Sequence, residues 1–176
     1  MNAYYLKFSK GHSGSESRIG GQPTLLPSEK PWTEVENDVW GFLLQIAVQG
    51  LIHELPEIAY IQLYQSVFEG DDPCPEAILI GQNSKINEEL NVLTSARVGN
   101  WDITLEKKEE PDEVPKPAMS PAYIEIFSSK IGGLDPYEKD GYTFLAQIGE
   151  EGDLNFGGMM CSIYIDPYGE IITELN

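Results

Sequence analysis

One short pattern occurs twice in the same order, and it limits what this 176-residue chain can fold into. Ser17-Arg18-Ile19-Gly20-Gly21 is followed by Phe42-Leu43-Leu44-Gln45-Ile46. Ser129-Lys130-Ile131-Gly132-Gly133 is followed by Phe144-Leu145-Ala146-Gln147-Ile148. Each copy then leads to an aromatic-rich segment, Ile61 to Tyr64 in one and Ile163 to Ile165 in the other. The first copy carries ten more residues between its two motifs. A repeated unit too small to bury its own apolar face is expected to pack against its twin, so the pattern predicts two pseudo-symmetric repeats sharing one core.

The remaining patterning is that of strands. Tyr4, Leu6 and Phe8 alternate with polar residues. Tyr60 to Tyr64, Ala77 to Ile80, Leu90 to Leu93, Trp101 to Leu105 and Tyr123 to Phe127 are short β-branched or aromatic runs bounded by turn residues, as are Tyr142 to Ile148, Met159 to Ile165 and Glu170 to Leu175. Helix signals are confined to Asn37-Asp38 before Trp40 and to Leu51 to Leu55. The expected fold is mostly β, α+β with few short helices. Glu106 to Pro117 mixes charge with proline and predicts an exposed linker. The chain then reads as a single domain with a first repeat over about 1–105, a linker over about 106–121 and a second repeat over about 122–176.

The repeated motifs also carry a resemblance. Ser-Arg/Lys-Ile-Gly-Gly, then Phe-Leu-Leu/Ala-Gln-Ile, then an aromatic strand resembles the bacterial YwqG-like proteins, a family of unknown function. The second copy matches it further through Asn155-Phe156-Gly157-Gly158 leading into Ser162-Ile163-Tyr164-Ile165. The first copy is distantly similar to the opening of eukaryotic programmed cell death protein 2 and its yeast relative. The resemblance spans roughly residues 17 to 166. It implies a β-rich, internally duplicated fold and, from the eukaryotic relatives, a chaperone role toward a basic ribosomal protein. Those relatives carry a cysteine-rich zinc insertion that this chain lacks.

Charge narrows the function. Eleven Lys and Arg stand against 29 Asp and Glu, a net charge of −18. Phosphate backbones and anionic membrane surfaces repel such a chain, whereas a basic protein is drawn to it, so no nucleic-acid and no membrane partner is expected. Phe42 to Ile52, the most apolar stretch, is interrupted by Gln45, Gln49 and Gly50 and is too short to span a bilayer. Residues 1–11 lack the apolar core of a secretory signal, and the expected location is cytoplasmic.

Catalytic and metal constellations are missing from the pattern. Cys74 and Cys161 are the only cysteines and His12 and His53 the only histidines, none at zinc-ligand spacing. Two reduced thiols are the default, with a single bridge between the halves left open. Gly20-Gly21 and Gly132-Gly133 lack the third glycine of a dinucleotide fingerprint and the lysine of a P-loop, which leaves turns with positive φ. Gly11-His12-Ser13-Gly14 departs from the hydrolase elbow at Ser15. Glu69 to Asp72 and Glu150 to Asp153 lack the alternating ligands of a calcium loop and read as solvated turns.

Gln45 and Gln147, each set in an apolar run, satisfy neighbouring backbone or bind a ligand. Trp32 and Trp40 flank Glu34, Glu36 and Asp38, a set suited either to gripping a basic, partly apolar protein segment or to closing the end of a β core. The expectation is a non-catalytic protein-binding domain, immunity-like or holdase-like, with no cofactor. The alternative is a small-molecule or enzyme site between the repeats, lined by Arg18, Arg97 and His53. The oligomeric state stays open.

Overall fold

The computed structural model describes residues 1–11, 15–24, 40–53, 55–66, 74–84, 93–94 and 99–176, with Trp40, Ser66, Leu93 and Thr94 described by backbone alone. Two nine-residue strands form its centre. β1 (Asn2–Lys10) and β7 (Trp101–Glu109) pair antiparallel along their whole length, from Asn2 opposite Glu109 to Lys10 opposite Trp101. On the outer side of β7 lies a meander of β2 (Arg18–Ile19), β3 (Trp40–Ala47), β4 (Ile58–Ser66) and β5 (Glu76–Gly81). Beside it the short β6 (Leu93–Thr94) pairs with β3 in parallel. On the outer side of β1 lies a second meander, β8 (Lys130–Gly132), β9 (Thr143–Ile148), β10 (Cys161–Ile165) and β11 (Ile171–Leu175). The ends of this path, β5 and β11, come together, where the Thr173 hydroxyl donates to the Pro75 carbonyl at 2.5 Å. The sheet is thereby nearly closed.

The central strands are exchanged. β1 precedes β2 in the chain yet pairs with β8, and β7 precedes β8 yet pairs with β2. Neither meander therefore carries its own sequence-adjacent strand, and the chain folds as one body.

The two meanders share a register. Arg18 lies opposite Gln45 and Ile19 opposite Leu44, while Lys130 lies opposite Gln147 and Ile131 opposite Ala146. A bulge falls at Leu43, between the pairs Phe42–Tyr64 and Leu44–Leu63. Another falls at Leu145, between Phe144–Tyr164 and Ala146–Ile163. Both bulges turn an aromatic pair edge-on, Phe42 and Tyr64 with centroids 5.6 Å apart at 66° and Phe144 and Tyr164 5.7 Å apart at 63°. The shared interior is built from Ile19, Leu44, Ile46, Ile61, Leu63, Ile131, Ile148, Phe156 and Ile163, all essentially inaccessible.

Two expectations need correction, and a third lies outside the described residues. Tyr123 to Phe127 is not a strand. Ser120 accepts from the Tyr123 amide at 3.1 Å and Pro121 takes the first helical position, so the segment winds into α1 (Pro121–Ile126), with the Tyr123 and Phe127 rings 4.8 Å apart one turn on. The strand expected over Leu90 to Leu93 falls outside the described residues, apart from Leu93. The charged stretch from Glu106 is not wholly a linker: β7 runs through Glu109, and Glu110 is buried at 5% exposure. The Glu110 carboxylate takes the Lys130 ammonium at 2.7 Å, the Leu134 amide at 2.6 Å and the Tyr5 hydroxyl, which satisfies a charge that composition placed in solvent. Only the part beyond it, from Pro111, is largely exposed.

The glycine pairs adopt the left-handed region, φ +71° and +72° at Gly20 and Gly21, +63° and +82° at Gly132 and Gly133. A Cβ at Gly20 would stand 2.5 Å from the Gly99 carbonyl oxygen, and one at Gly133 2.6 Å from the Ala3 Cβ and 2.2 Å from Glu110 Oε2. At Gly132 the nearest atom is 3.6 Å away. Gly132→Ala is therefore expected to cost about 1–2 kcal/mol for φ alone, and Gly20→Ala and Gly133→Ala about 3 kcal/mol or more. Urea denaturation of the three variants checks the order; equal losses would contradict the close approaches.

Candidate functional site

The repeated glutamines act as internal clamps. Gln45 donates through Nε2 to the Glu16 carbonyl at 2.7 Å and to Thr24 Oγ1 at 2.9 Å, and its Oε1 accepts from the Thr24 amide and from Gln62 Nε2. Gln62 in turn accepts the Tyr64 hydroxyl at 2.7 Å. Gln147 donates to the Ser128 carbonyl at 2.6 Å and the Ile126 carbonyl at 2.8 Å. Glu16 and Ser128 hold the same place ahead of their motifs, so the two clamps correspond. The first residue of each motif repeats a contact as well: Ser17 Oγ accepts the Ala47 amide at 2.8 Å and Ser129 Oγ the Gly149 amide at 2.7 Å. The ladder leaves these backbone groups unmatched beside the glycine turns, and side chains supply the partners.

Beside the first clamp lies a cavity of about 440 Å³ lined by Arg18, Gln22, Thr24, Asn100, Trp101 and Asp102, with Gly11 and Gly21 at its edge. It sits where β2 meets the start of β7. Arg18 donates to the Ser15 carbonyl at 2.7 Å, to Thr24 Oγ1 at 3.1 Å and to the Gln22 carbonyl, and burial pulls its pKa below the usual guanidinium value. Trp101 donates its indole N–H to Asp153 Oδ2 at 3.0 Å, which also accepts the Gly99 amide at 2.9 Å. Asp153 belongs to the β9–β10 loop, so this contact joins the second meander to the rim of the cavity. The lining offers a guanidinium, an indole, amides and a carboxylate, which suits binding polar groups. A second hollow of about 600 Å³ lies under α1, between Tyr5, Lys7, Ile124, Glu125 and Ser128.

The structure distributes the sequence-derived candidates unevenly. Arg18 lines the cavity; His53 is exposed on a turn beyond β3, away from it. Trp32, Glu34, Glu36, Asp38 and Arg97 lie outside the described residues, as do His12 to Gly14 and Glu69 to Asp72, and Trp40 is placed only as the first residue of β3. Gly20, Gly21, Gly132 and Gly133 form the turns, and Gln45 and Gln147 the clamps. Glu150 to Asp153 is a loop fastener: Glu150 accepts the Phe156 and Gly158 amides at 2.6 and 2.8 Å, and Glu151 accepts the Ser129 hydroxyl at 2.6 Å. Among the described residues no group of three or more His, Cys, Asp or Glu is placed to hold a metal ion, and no helix is long and apolar enough to cross a membrane. Asn100, Trp101 and Asp102 went unnoticed in the sequence because only the exchange of β1 and β7 brings them beside Arg18; Thr24 reaches Arg18 within its own turn.

Comparison with protein-family models finds no match, and no curated protein is similar to the chain in sequence.

Two pH dependences follow from these environments. Burial raises the phenol pKa values of Tyr5, Tyr64 and Tyr164 and the Cys161 thiol well above their ordinary values, and raises that of Tyr137 as well. The unfolded chain releases those protons between about pH 8.5 and 10 while the folded chain holds them, so stability is full below that range and falls as pH rises. Urea midpoints are expected to drop steeply above about pH 9, and Tyr64→Phe to flatten the slope by up to about 1.4 kcal/mol per pH unit. A midpoint constant to about pH 10.5 would contradict this. On the acid side, the Trp101 and Gly99 N–H groups hold Asp153 below the usual carboxylate range, so its contribution is full above that range and lost as pH falls through the depressed value. The melting-temperature gap between the native chain and Asp153→Ala should narrow on acidification toward about pH 3. A gap independent of pH would show that the charge of Asp153 is idle.

Proposed function

We propose that this chain is a YwqG-like, non-catalytic binding domain that covers a basic protein partner in the cytoplasm, in an immunity-like or holdase role. The observation that carries the reading is the fate of the cations in the second meander. From Pro121 to Asn176 the sequence holds ten carboxylates against two lysines. Lys130 is buried on Glu110, and Lys139 is paired with Glu174 and laid over the Tyr142 and Tyr164 rings. Both cations are consumed internally, so the outward field of this half is set by carboxylates alone. The shared register of the two meanders supports the resemblance to duplicated YwqG-like domains. Neither cysteine is in a disulfide, which suits a reducing compartment.

Trp32, Glu34, Glu36, Asp38 and Trp40 are the proposed grip: aromatic anchors flanking, in the sequence, carboxylates that compete with the partner's natural anionic ligand. The second reading is a small-molecule site, favoured by the cavity beside Arg18, whose guanidinium and indole are held in place before any ligand arrives.

Affinity capture from the native lysate, run at low and at high salt, tests the first reading. A basic protein retained at low salt and released at high salt is expected, because exposed charge pairs are screened within a Debye length of about 10 Å at 0.1 M salt. Trp32→Ala should then weaken binding of that protein about 30-fold with unchanged melting. Capture of nothing at either salt, together with a thermal-shift response to small polar ligands that Arg18→Ala abolishes, would replace the first reading with the second.

A further inference from the structure

The chain has two cysteines, one in each half: Cys74 sits at the seam where the ends of the sheet meet, and Cys161 lies on β10, one strand inside it. β5 and β11 lie side by side without a hydrogen-bonded ladder between them among the described residues, and side chains bridge the gap. Just ahead of β5, the half-buried Cys74 places its Sγ 3.6 Å from Thr173 Oγ1 and 3.7 Å from the Thr173 carbonyl oxygen. Thr173 stands opposite Ile163, and Leu175 opposite Cys161, in an unbroken antiparallel register. Residues two apart on a strand share a face, so Cys161, Ile163, Thr173 and Leu175 form one four-residue patch. Cys161 is wholly buried in that patch, diagonal to the threonine that Cys74 touches. The Cys74 thiol is near enough to add to the shift that burial imposes on Cys161.

We propose that Cys74 and Cys161 are the two halves of a reversible disulfide that sews the first meander to the second across the open seam of the sheet. A disulfide demands Cα atoms about 4.4–6.8 Å apart, and among the described residues no hydrogen-bonded ladder across the seam has to break for the two thiols to approach. The oxidant is a low-molecular-weight disulfide such as oxidised glutathione. The Cys74 thiolate attacks one sulfur of it, the reagent's S–S bond breaks, and one glutathione leaves. Cys161 then gives up its proton and attacks Cys74 Sγ, and the second glutathione leaves. Two protein thiols become one disulfide, one glutathione disulfide becomes two thiols, and the protons pass to the leaving groups. The first step is open because Cys74 is partly exposed. The second is slow and speeds up with pH, because a neutral buried thiol must ionise. In a reducing cytoplasm the bridge stays open, and oxidation closes the sheet into a ring.

The test uses the full chain, purified reduced and incubated natively with oxidised glutathione. Expected are an intrachain Cys74–Cys161 bridge in monomeric protein by peptide mapping, no thiol titratable after denaturation, and a melting temperature raised by roughly 10 °C and restored by reductant. Cys161→Ala should stop at a stable glutathione adduct on Cys74, and Cys74→Ser should take up nothing. The proposal is overturned if the native chain itself stops at the Cys74 adduct, if both thiols stay unmodified, if the bridge forms between chains, or if it appears only after urea is added.

Discussion

The buried carboxylate of Glu110 holds the three strands on which the rest of the sheet is laid. It closes β7, its backbone exchanges hydrogen bonds with Met1 ahead of β1, and its side chain receives Lys130 from β8 and Tyr5 from β1. A charge pair removed from water gains little net stability, because desolvation offsets most of the attraction. Its value lies in discrimination. A one-residue slip of β1 against β8 would leave either an ammonium or a carboxylate alone in the interior, which costs several kcal/mol. The low-dielectric site also pulls the Lys130 ammonium below its usual pKa, with Glu110 opposing that shift. The register of the central strands thus rests on an electrostatic constraint more than on apolar fit.

The corresponding position of the first meander is solved differently, and the difference marks where the halves diverge. Arg18 lies opposite Asp102 of β7 and spreads its fork over the Ser15 and Gln22 carbonyls and Thr24, which a compact ammonium cannot reach together. Gln62 and Tyr64 extend the Gln45 clamp into a chain of buried hydrogen bonds. The second meander has Ser162 where the first has Gln62, and there the Tyr164 hydroxyl turns to Asp135 at 3.3 Å while Gln147 Oε1 is left without a partner among the described residues. The first copy thus tightens its clamp around the cavity, and the second spends its polar groups on its own loop. A site restricted to one half is what such unequal use of the same scaffold produces.

Local chemistry was legible in the sequence, and long-range pairing was not. Strands such as Tyr60 to Tyr64 or Glu170 to Leu175 announce themselves by β-branched and aromatic runs, because a pleated, half-buried surface selects those side chains whatever lies beside it. The helix at Pro121 was hidden because Tyr-Ile-Glu-Ile-Phe reads as a strand until the Ser120 cap and the first-turn proline are weighed against it. Glu110 was hidden more deeply. Its burial depends on Lys130 and Tyr5, 20 and 105 residues away in the chain, and nothing in its charged neighbourhood signals them. The cavity follows the same logic. Arg18 stood out as an asymmetric cation, but Asn100, Trp101 and Asp102 became its neighbours only through the exchanged central strands.

The acidity of the surface is bound to the shape of the loops. Glu150, Asp153, Asp135 and Asp166 each accept one or more backbone N–H groups, at the β9–β10 loop, the Gly99 turn, the segment after β8 and the β10–β11 turn. Such bonds hold Glu150 below the usual carboxylate range, and the Trp101 indole N–H together with the Gly99 amide does the same for Asp153. Glu150 and Asp153 therefore keep their charge through mild acidification. A partner then meets a preorganised field in place of a fluctuating fringe of side chains, and the ordering cost of association falls. The same residues that let short strands turn sharply therefore also fix the negative potential on which the proposed contact with a basic partner rests.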